Sequence, residues 1–195
     1  MKIEFSENHN MIREMVRDFA KNEVAPGAIH RDEKCEFPLE LCRKAGELGL
    51  MGILVPEEFG GSNMDVTSFA IAIEEVGRYD GSMALSMQAN NGLSCGHILT
   101  AGSDALKKKY LPDLASGQKL GAWCLTEPGS GSDAGAMKTT AVKKGDRWIV
   151  NGSKNFITHG TYGDTYIIMA KPIQAKVPKA SQLLLRKKLE GFEHR

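Results

Sequence analysis

The apolar residues of this 195-residue chain change their spacing near Leu120. Upstream they recur every three or four residues, as on an amphipathic helix, and downstream they tend to alternate, as on a strand. Helical segments that precede strands without mixing favour two separate units over an alternating α/β sheet. The sequence therefore predicts an α+β protein, with a helical domain at residues 1–117 and a small, incomplete, barrel-like antiparallel β domain at residues 118–195.

Capping residues mark where the predicted helices begin. Ser6, Asp65 and Ser103 each precede a helical apolar pattern, and Pro38 suits the first turn of another helix. Pro26 is expected to end the first helix, and the small-residue segment 82–99 is expected to be largely buried. The residues predicted to face inward are Ile12, Met15, Val16, Phe19, Ala20, Leu41, Cys42, Ala45, Leu48, Val66, Phe69, Ala70, Ile73, Val76, Leu106, Tyr110, Leu111 and Leu114.

Turn signals are dense after Leu120 and bound the candidate strands. Lys144-Gly145-Asp146 and Asn151-Gly152 both predict tight turns, and Asn-Gly is a strong signal for a β-hairpin. Strands joined by hairpins pair antiparallel, which is why an antiparallel sheet is expected. The candidate strands span residues 121–127, 139–143, 148–151, 154–158 and 165–170.

Charge and hydropathy exclude several classes of partner. The chain has 25 basic and 24 acidic side chains, so it lacks the one-sided basic field that binds nucleic acid. No apolar run reaches the roughly 20 residues of a membrane span, and the first residues do not resemble a secretion signal. The four cysteines form no C-x-x-C pair and are expected to be reduced and mostly buried. A cytoplasmic protein without a metal site is predicted.

The most informative segment is 123–133, Trp-Cys-Leu-Thr-Glu-Pro-Gly-Ser-Gly-Ser-Asp. A strand there runs into a loop of alternating glycine and serine, which offers unhindered N–H groups and hydroxyls to an electron-rich ligand. The loop lacks the lysine of a phosphate-binding P-loop, and Ala134 stands where G-x-G-x-x-G needs its third glycine. An ordinary solvent loop has the same composition, so these residues alone leave the ligand open.

Two motifs in this order resemble the paired signature of acyl-CoA dehydrogenases. The first is T-E-P-G-x-G-S-D at residues 126–133, and the second is N-G-x-K-x-x-I-T at residues 151–158. Segments 31–38, 49–61, 74–80 and 108–117 fit the family as well, so the resemblance covers about the first 170 residues. It implies a helical domain before a β domain, FAD as cofactor, and oxidation of an acyl-CoA to the trans-2-enoyl-CoA, as in fatty acid β-oxidation.

The same resemblance implies that the flavin lies against the β domain. The first motif would follow the isoalloxazine ring and ribityl chain, and the second would cover the ring's other edge. Thr158 would lie near flavin N5, which accepts hydride. Ser132 would also face the acyl-CoA, and segment 86–92 would bound the acyl pocket. The expected cofactor-binding residues are Trp123, Leu125, Thr126, Gly131, Ser132, Phe156, Ile157 and Thr158.

The general base is expected to lie outside this chain. In the family a glutamate of a C-terminal helical bundle removes the α proton, and no such bundle follows here, whereas Glu127 and Asp133 would belong to the scaffolding of the loop. The chain is therefore interpreted as an incomplete, inactive fragment that binds FAD weakly or not at all by itself. The resemblance also implies electron-transferring flavoprotein as electron acceptor and a homotetramer for the full-length parent.

The residues from Lys171 onward depart from the family pattern. The strand expected at residues 181–187, before Gly191-Phe192, keeps the family's spacing but not its residues. A frameshifted gene, a decayed gene and an ordinary divergent strand all fit this observation. Segment 183–185 would be an exposed apolar run if that strand did not pair.

Two other functions remain open. Gly92-Leu93-Ser94-Cys95-Gly96 matches the G-x-S-x-G elbow of serine hydrolases, with His159 downstream, which would make Ser94 a nucleophile. That elbow requires a preceding strand, whereas residues 83–91 are predicted to be helical, so the hydrolase hypothesis is the weaker one. The third hypothesis is a non-catalytic remnant that binds a partner.

Overall fold

A computed structural model describes residues 4–173 together with the backbone of residues 181–186. Contacts divide the chain into two compact units, Met1–Lys119 and Leu120–Arg195. The first unit is helical and the second contains a sheet, so the predicted α+β class is confirmed. The predicted domain limits at residues 117 and 118 stay a prediction about which segments fold independently.

The described part of the helical unit contains seven α-helices. The side chains of Ser6, Asp65 and Ser103 each accept a hydrogen bond from the main-chain N–H three residues further on, so three predicted helix starts are confirmed. The helix predicted to begin at Pro38 is present but begins one residue later, with Pro38 directly before its first turn. The helices are α1 (Glu7–Phe19), α2 (Ala28–Lys34), α3 (Leu39–Glu47), α4 (Val66–Gly77), α5 (Gly81–Gln88), α6 (Gly96–Ala101) and α7 (Asp104–Ala115).

Helical structure does not end at Pro26, contrary to the prediction. α1 continues through a π-helical turn, Ala20–Val24, and a 3-10 turn, Ala25–Gly27, that leads into α2. A proline is tolerated in the first turn of a helical segment because its missing N–H would have no partner there. A second π-helical segment, Ala89–Cys95, joins α5 to α6.

The predicted inward faces are mostly correct, and α4 is the main exception. Val66 is 70% exposed and Ala70 is exposed too, as is Leu48 after α3. The buried face of α4 includes the fully covered Glu75, which hydrogen bonds from the arginines of α1 keep paired. The predicted inward residues that are buried are Ile12, Val16, Phe19, Ala20, Cys42, Ala45, Val76, Tyr110, Leu111 and Leu114.

Two buried asparagines of the segment Ala89–Cys95 hold the loop that follows α3. The side-chain amide of Asn90 donates to Met51 O and Leu114 O, both at 2.9 Å. Asn91 donates to Leu50 O at 2.9 Å and to Met87 O at 3.0 Å. Loop carbonyls inside a core need such donors because an unpaired buried carbonyl is costly.

The β unit contains five strands in the described residues. β1 (Gly121–Cys124) and β2 (Thr140–Lys144) both pair parallel with β4 (Thr165–Ile173). β3 (Arg147–Asn151) pairs antiparallel with β2, and β5 (Ser181–Arg186) pairs antiparallel with β4. The turn between β2 and β3 is the hairpin predicted at Gly145, which adopts a φ of 61°. Glycine suits this position because it reaches positive φ without strain.

Four predictions about the sheet are wrong. The sheet is mixed, because the parallel partners of β4 are distant in sequence and no local turn signal reports them. Residues 154–158 form no strand, and Asn151-Gly152 is no hairpin, since Asn155 N–H pairs with Thr126 O and Phe156 has a φ of 56°. β1 ends at Cys124 and not at residue 127.

The strand expected in the atypical tail is present as β5. Its six residues, Ser181–Arg186, pair with residues 165–170 of β4, so the backbone of segment 183–185 is part of the sheet. The backbone of this run is therefore paired. The exposure of the side chains of residues 183–185 lies outside what the structure describes. The predicted Gly191-Phe192 element lies outside the described residues.

Candidate functional site

The two sequence motifs form neighbouring loops in the β unit. Cys124 pairs with Ile168 and Thr140 pairs with Lys171, only three β4 residues further along. The fifteen residues between these two pairings, 125–139, therefore leave the sheet and return to it. We call residues 125–133 the first motif loop and residues 152–158, which follow β3, the second motif loop.

Three hydrogen bonds join the first motif loop to the second. The Lys154 ammonium donates to Leu125 O at 2.9 Å and to Glu127 Oε1 at 2.8 Å. The main-chain N–H of Asn155 donates to Thr126 O at 2.8 Å. The structure thus brings together two stretches that lie 27 residues apart in the chain.

Glu127 is the buried centre of the first motif loop. Its carboxylate accepts hydrogen bonds from the main-chain N–H groups of Lys138 and Thr139 as well as from Lys154. Burial opposes ionisation of this carboxyl, but the hydrogen bonds from these three residues outweigh that effect and lower its pKa to about 2. Glu127 is therefore an ionised structural group at neutral pH, as expected for loop scaffolding.

The glycine-serine part of the first motif loop is open. Ser130 is buried, and its hydroxyl donates to Asp133 O at 2.7 Å. Gly131 and Ser132 are exposed, and a Cβ added at Gly131 would meet no atom of the described residues within 4 Å. Neither backbone strain nor packing against that part of the chain requires a glycine at this position, which leaves room for a ligand.

The second motif loop presents one aromatic side chain to solvent. Phe156 is 93% exposed and has a φ of 56°, a conformation that is uncommon for a bulky residue. Thr158 is half-buried, and Ile157 packs against the buried cluster of Ala122, Cys124, Tyr166 and Ile168. Ile157 therefore has a packing role, and its predicted contact with a cofactor stays a prediction.

The remaining predicted site residues lie on β1 and directly after it. Trp123 is half-buried and alternates with Ala122 and Cys124, so it lies on the face of β1 opposite their cluster. Leu125 and Thr126 are half-buried as well. Trp123 and Ile157 thus lie on opposite faces of the sheet, whereas the two motif loops are joined directly after the end of β1.

Sequence reasoning missed two residues of this region. Lys154 belongs to the second motif without a predicted role, and His159 is predicted only as part of a hydrolase site. His159 is buried, and its Nδ1 donates to Gly121 O at 2.9 Å, which fixes the end of the second motif loop at the start of β1. Burial lowers the pKa of His159 despite this hydrogen bond. The sequence signals for them are a lysine inside the second motif and a histidine directly after it, and neither signal identifies a partner.

The G-x-S-x-G match is not a nucleophile elbow. Ser94 lies inside the π-helical segment Ala89–Cys95, is fully buried, and follows α5 and not a strand. An elbow serine must be exposed at a strand-to-helix turn. The serine hydrolase hypothesis is therefore unsupported.

All four cysteines are free, and three of them are buried, as predicted for most of the thiols. No cluster of three or more His, Cys, Asp or Glu side chains within residues 4–173 could hold a metal ion. No helix in the described ranges is long and apolar enough to cross a membrane.

Both units match parts of one known family. Residues 6–118 match the family description "Acyl-CoA dehydrogenase, N-terminal domain", and residues 122–195 match "Acyl-CoA dehydrogenase, middle domain". The probable acyl-CoA dehydrogenase YngJ of Bacillus subtilis (strain 168) is 47% identical over 170 residues, which are 87% of this chain and 45% of that protein. The short-chain specific acyl-CoA dehydrogenase of Clostridium acetobutylicum is 41% identical over 98% of this chain and 51% of its own length.

Solved structures give the same result. A chain described with the electron transferring flavoprotein of Acidaminococcus fermentans superposes with a TM-score of 0.93 at 40% identity, over 99% of this chain and 51% of that one. The acyl-CoA dehydrogenase complexed with FAD from Bacillus anthracis gives a TM-score of 0.87 at 40% identity, over 94% of this chain and 31% of that one. The chain spans about half the length of the curated relatives it matches. On these matches and this architecture, the chain belongs to the acyl-CoA dehydrogenase family.

Proposed function

We propose that this chain forms the cofactor-facing half of an FAD-dependent acyl-CoA dehydrogenase, which oxidises an acyl-CoA thioester to the trans-2-enoyl-CoA. The observation that carries this proposal is the junction of the two motif loops through Lys154 and Asn155 in a chain of this family. A flat aromatic ring needs a continuous surface, and two loops held together by hydrogen bonds would provide one.

The residues of the motif loops fit a flavin. Gly131 leaves room above the first motif loop, Ser132 offers an exposed hydroxyl, and Phe156 offers an exposed aromatic ring for stacking. Trp123, Leu125, Thr126 and Thr158 are half-buried and would complete the cofactor site. A solved relative from Bacillus anthracis is complexed with FAD, which supports the same cofactor here.

In the proposed reaction, this chain binds the cofactor and a different part of the protein removes the proton. When bound, FAD accepts the hydride that leaves the substrate's β carbon. The two motif loops of this chain would hold and orient the cofactor, and Ser132 would also face the acyl-CoA. The general base that removes the α proton is proposed to lie in the half of the relatives that this chain does not span.

The partners are proposals of the same kind. Electron-transferring flavoprotein is the proposed electron acceptor, and one similar chain was described together with such a protein. A homotetramer is proposed for an assembly that contains both halves. The cytoplasmic location stays a prediction from the sequence.

A hybrid protein tests the proposed function. In it the matched 170-residue segment of this chain replaces its counterpart in the Bacillus subtilis relative, which supplies the second half. We expect the purified hybrid to retain FAD and butyryl-CoA to bleach the flavin absorbance anaerobically. A folded hybrid that retains no FAD would contradict the proposal and favour the non-catalytic remnant.

Gly131→Val in the same hybrid tests the first motif loop. We expect the FAD dissociation constant to rise about tenfold or more, because the added methyl groups occupy the space next to the loop, while the unfolding free energy changes by less than about 0.5 kcal/mol. Gly81→Val is the matched control, since a Cβ at Gly81 also meets no atom within 4 Å among the residues that the structure describes, but Gly81 lies in the helical unit. Equal FAD affinities for the two variants would show that Gly131 does not line the FAD site.

A further inference from the structure

We propose that Glu127 and Lys154 are a positioning pair that locks the two motif loops into one surface and thereby sets the affinity for flavin. This inference rests on the proposed function, because it assigns how the cofactor surface is held in shape. It names no contact between either side chain and the cofactor. Both residues would act through the main chain of the loops they join.

Lys154 is committed to the first motif loop. Its side chain is 9% exposed, and two of its three donor positions go to Leu125 O and Glu127 Oε1. Leu125 O belongs to the peptide unit that also carries the Thr126 N–H. Since a peptide unit is planar, the ammonium fixes the orientation of both groups at once.

Glu127 extends this lock to the segment in which the chain returns to β2. Its side chain is 5% exposed, and its Oε1 accepts hydrogen bonds from Lys154 and from the Thr139 N–H, whereas its Oε2 accepts from the Lys138 N–H. Lys138 and Thr139 lie where the chain returns to β2. A single carboxylate of the first motif loop thus joins it to the second motif loop and to the residues that lead into β2.

Geometry, and not stability, is the main contribution expected of this pair. A buried ion pair adds little net stability over apolar residues of similar volume, because desolvating both charges offsets their attraction. It does specify which groups meet, since a carboxylate with several donors tolerates few arrangements. The exposed Gly131 and Phe156 lie on these same loops and are the positions a ligand can reach.

Amide hydrogen exchange on the full chain tests the lock without any cofactor. Lys154→Met keeps the length of the side chain but removes the ammonium. We expect exchange at the amides of Asn155, Lys138 and Thr139 to accelerate about tenfold or more in this variant, while Ile167 in the core of β4 keeps its protection. Lys144→Met is the matched control, an exposed lysine at the end of β2, and it should leave the three amides unchanged.

FAD binding to the hybrid protein tests the positioning role. At a temperature where circular dichroism shows all variants folded, Lys154→Met should raise the FAD dissociation constant about tenfold or more, as loss of a supporting contact commonly does. Glu127→Gln should act in the same direction. The double variant should be less impaired than the sum of the two, because it leaves no unpaired buried charge.

The outcomes distinguish this inference from the proposed function. Unchanged exchange at Asn155 in Lys154→Met would overturn the lock, whether or not FAD binds. Faster exchange with an FAD affinity equal to that of Lys144→Met would show a merely structural pair and overturn the positioning role. A parent hybrid that binds no FAD would overturn the proposed function and, with it, the assigned role in flavin affinity.

Discussion

The environment of His159 shows how single residues hold this site together. Its Nδ1 donates to Gly121 O, which requires a proton on that nitrogen in the neutral ring, and its φ of 61° lies in the left-handed region. A buried imidazole remains neutral because a charge would lose its solvation. His159 therefore makes the end of the second motif loop sensitive to pH.

Acidification should weaken the β unit through His159. Its pKa is lowered in the folded chain, so the unfolded state takes up the proton first as pH falls through about 6.5. The unfolding free energy should decrease from pH 7.5 to pH 5.5 and remain level above that window. Urea denaturation monitored by tryptophan fluorescence at several pH values measures this dependence.

His159→Asn is the control for that titration. Asparagine keeps a donor near Gly121 O and tolerates positive φ, but it does not ionise. The slope between pH 7.5 and 5.5 should be smaller in this variant than in the parent chain. Identical slopes would show that another group titrates. Glu127 does not interfere, because its contribution is lost only below about pH 4.5, toward its lowered pKa of about 2.

At the scale of elements, the sequence predicted where helices begin but not which strands pair with each other. Ser6, Asp65 and Ser103 cap helices as predicted, because a cap and the N–H it accepts are three residues apart. The hairpin at Gly145 is equally local. Residues 154–158 were wrongly predicted as a strand. Their apolar residues belong to a loop that the hydrogen bond from Asn155 N–H to the distant Thr126 O holds in place.

Helices α1 and α4 are joined by a buried carboxylate. Glu75 accepts hydrogen bonds from Arg13 at 2.9 Å and from Arg17 at 3.0 Å, and Arg78 lies 3.4 Å away. The hydrogen bond from Arg17 is the main cause that lowers the pKa of Glu75, against the effect of burial. Glu75 therefore remains ionised throughout the neutral pH range.

Glu75→Gln should destabilise the helical unit. We expect a loss of about 2 kcal/mol in unfolding free energy, because Arg13 and Arg17 would donate to a buried side chain that no longer carries the negative charge. Glu74→Gln is the matched control, since Glu74 also bonds Arg13 and Arg78 but its side chain is 53% exposed, and less than about 1 kcal/mol is expected there. Urea denaturation followed at 222 nm measures both. Equal losses would contradict the role assigned to burial.

Two compact units are the main feature at the scale of the whole chain. The Asn90 and Asn91 amides find their acceptors within the helical unit, and α7 contributes the fully buried Leu111 and Leu114 to its core. A unit of this size can bury enough apolar surface to fold alone. The predicted domain limits can therefore be tested directly.

Residues 1–119 should fold without the β unit. We expect a helical circular dichroism spectrum and one cooperative thermal transition for this segment. A segment of residues 1–109, which lacks Leu111 and Leu114, is the control and should lose cooperativity because it removes two buried leucines. A non-cooperative transition of residues 1–119 would show that the helical unit depends on the rest of the chain.

Sequence alone determined the α+β order, the capped helix starts, the β2–β3 hairpin and the family, because each depends on residues close together or on contiguous motifs. Tertiary structure decided the parallel pairing of β4, the junction of Lys154 with Glu127 and the anchoring of His159 to Gly121. Those last two contacts join residues 27 and 38 positions apart. Local propensity carries no information about partners at such separations, because only the folded chain brings them within hydrogen-bonding distance.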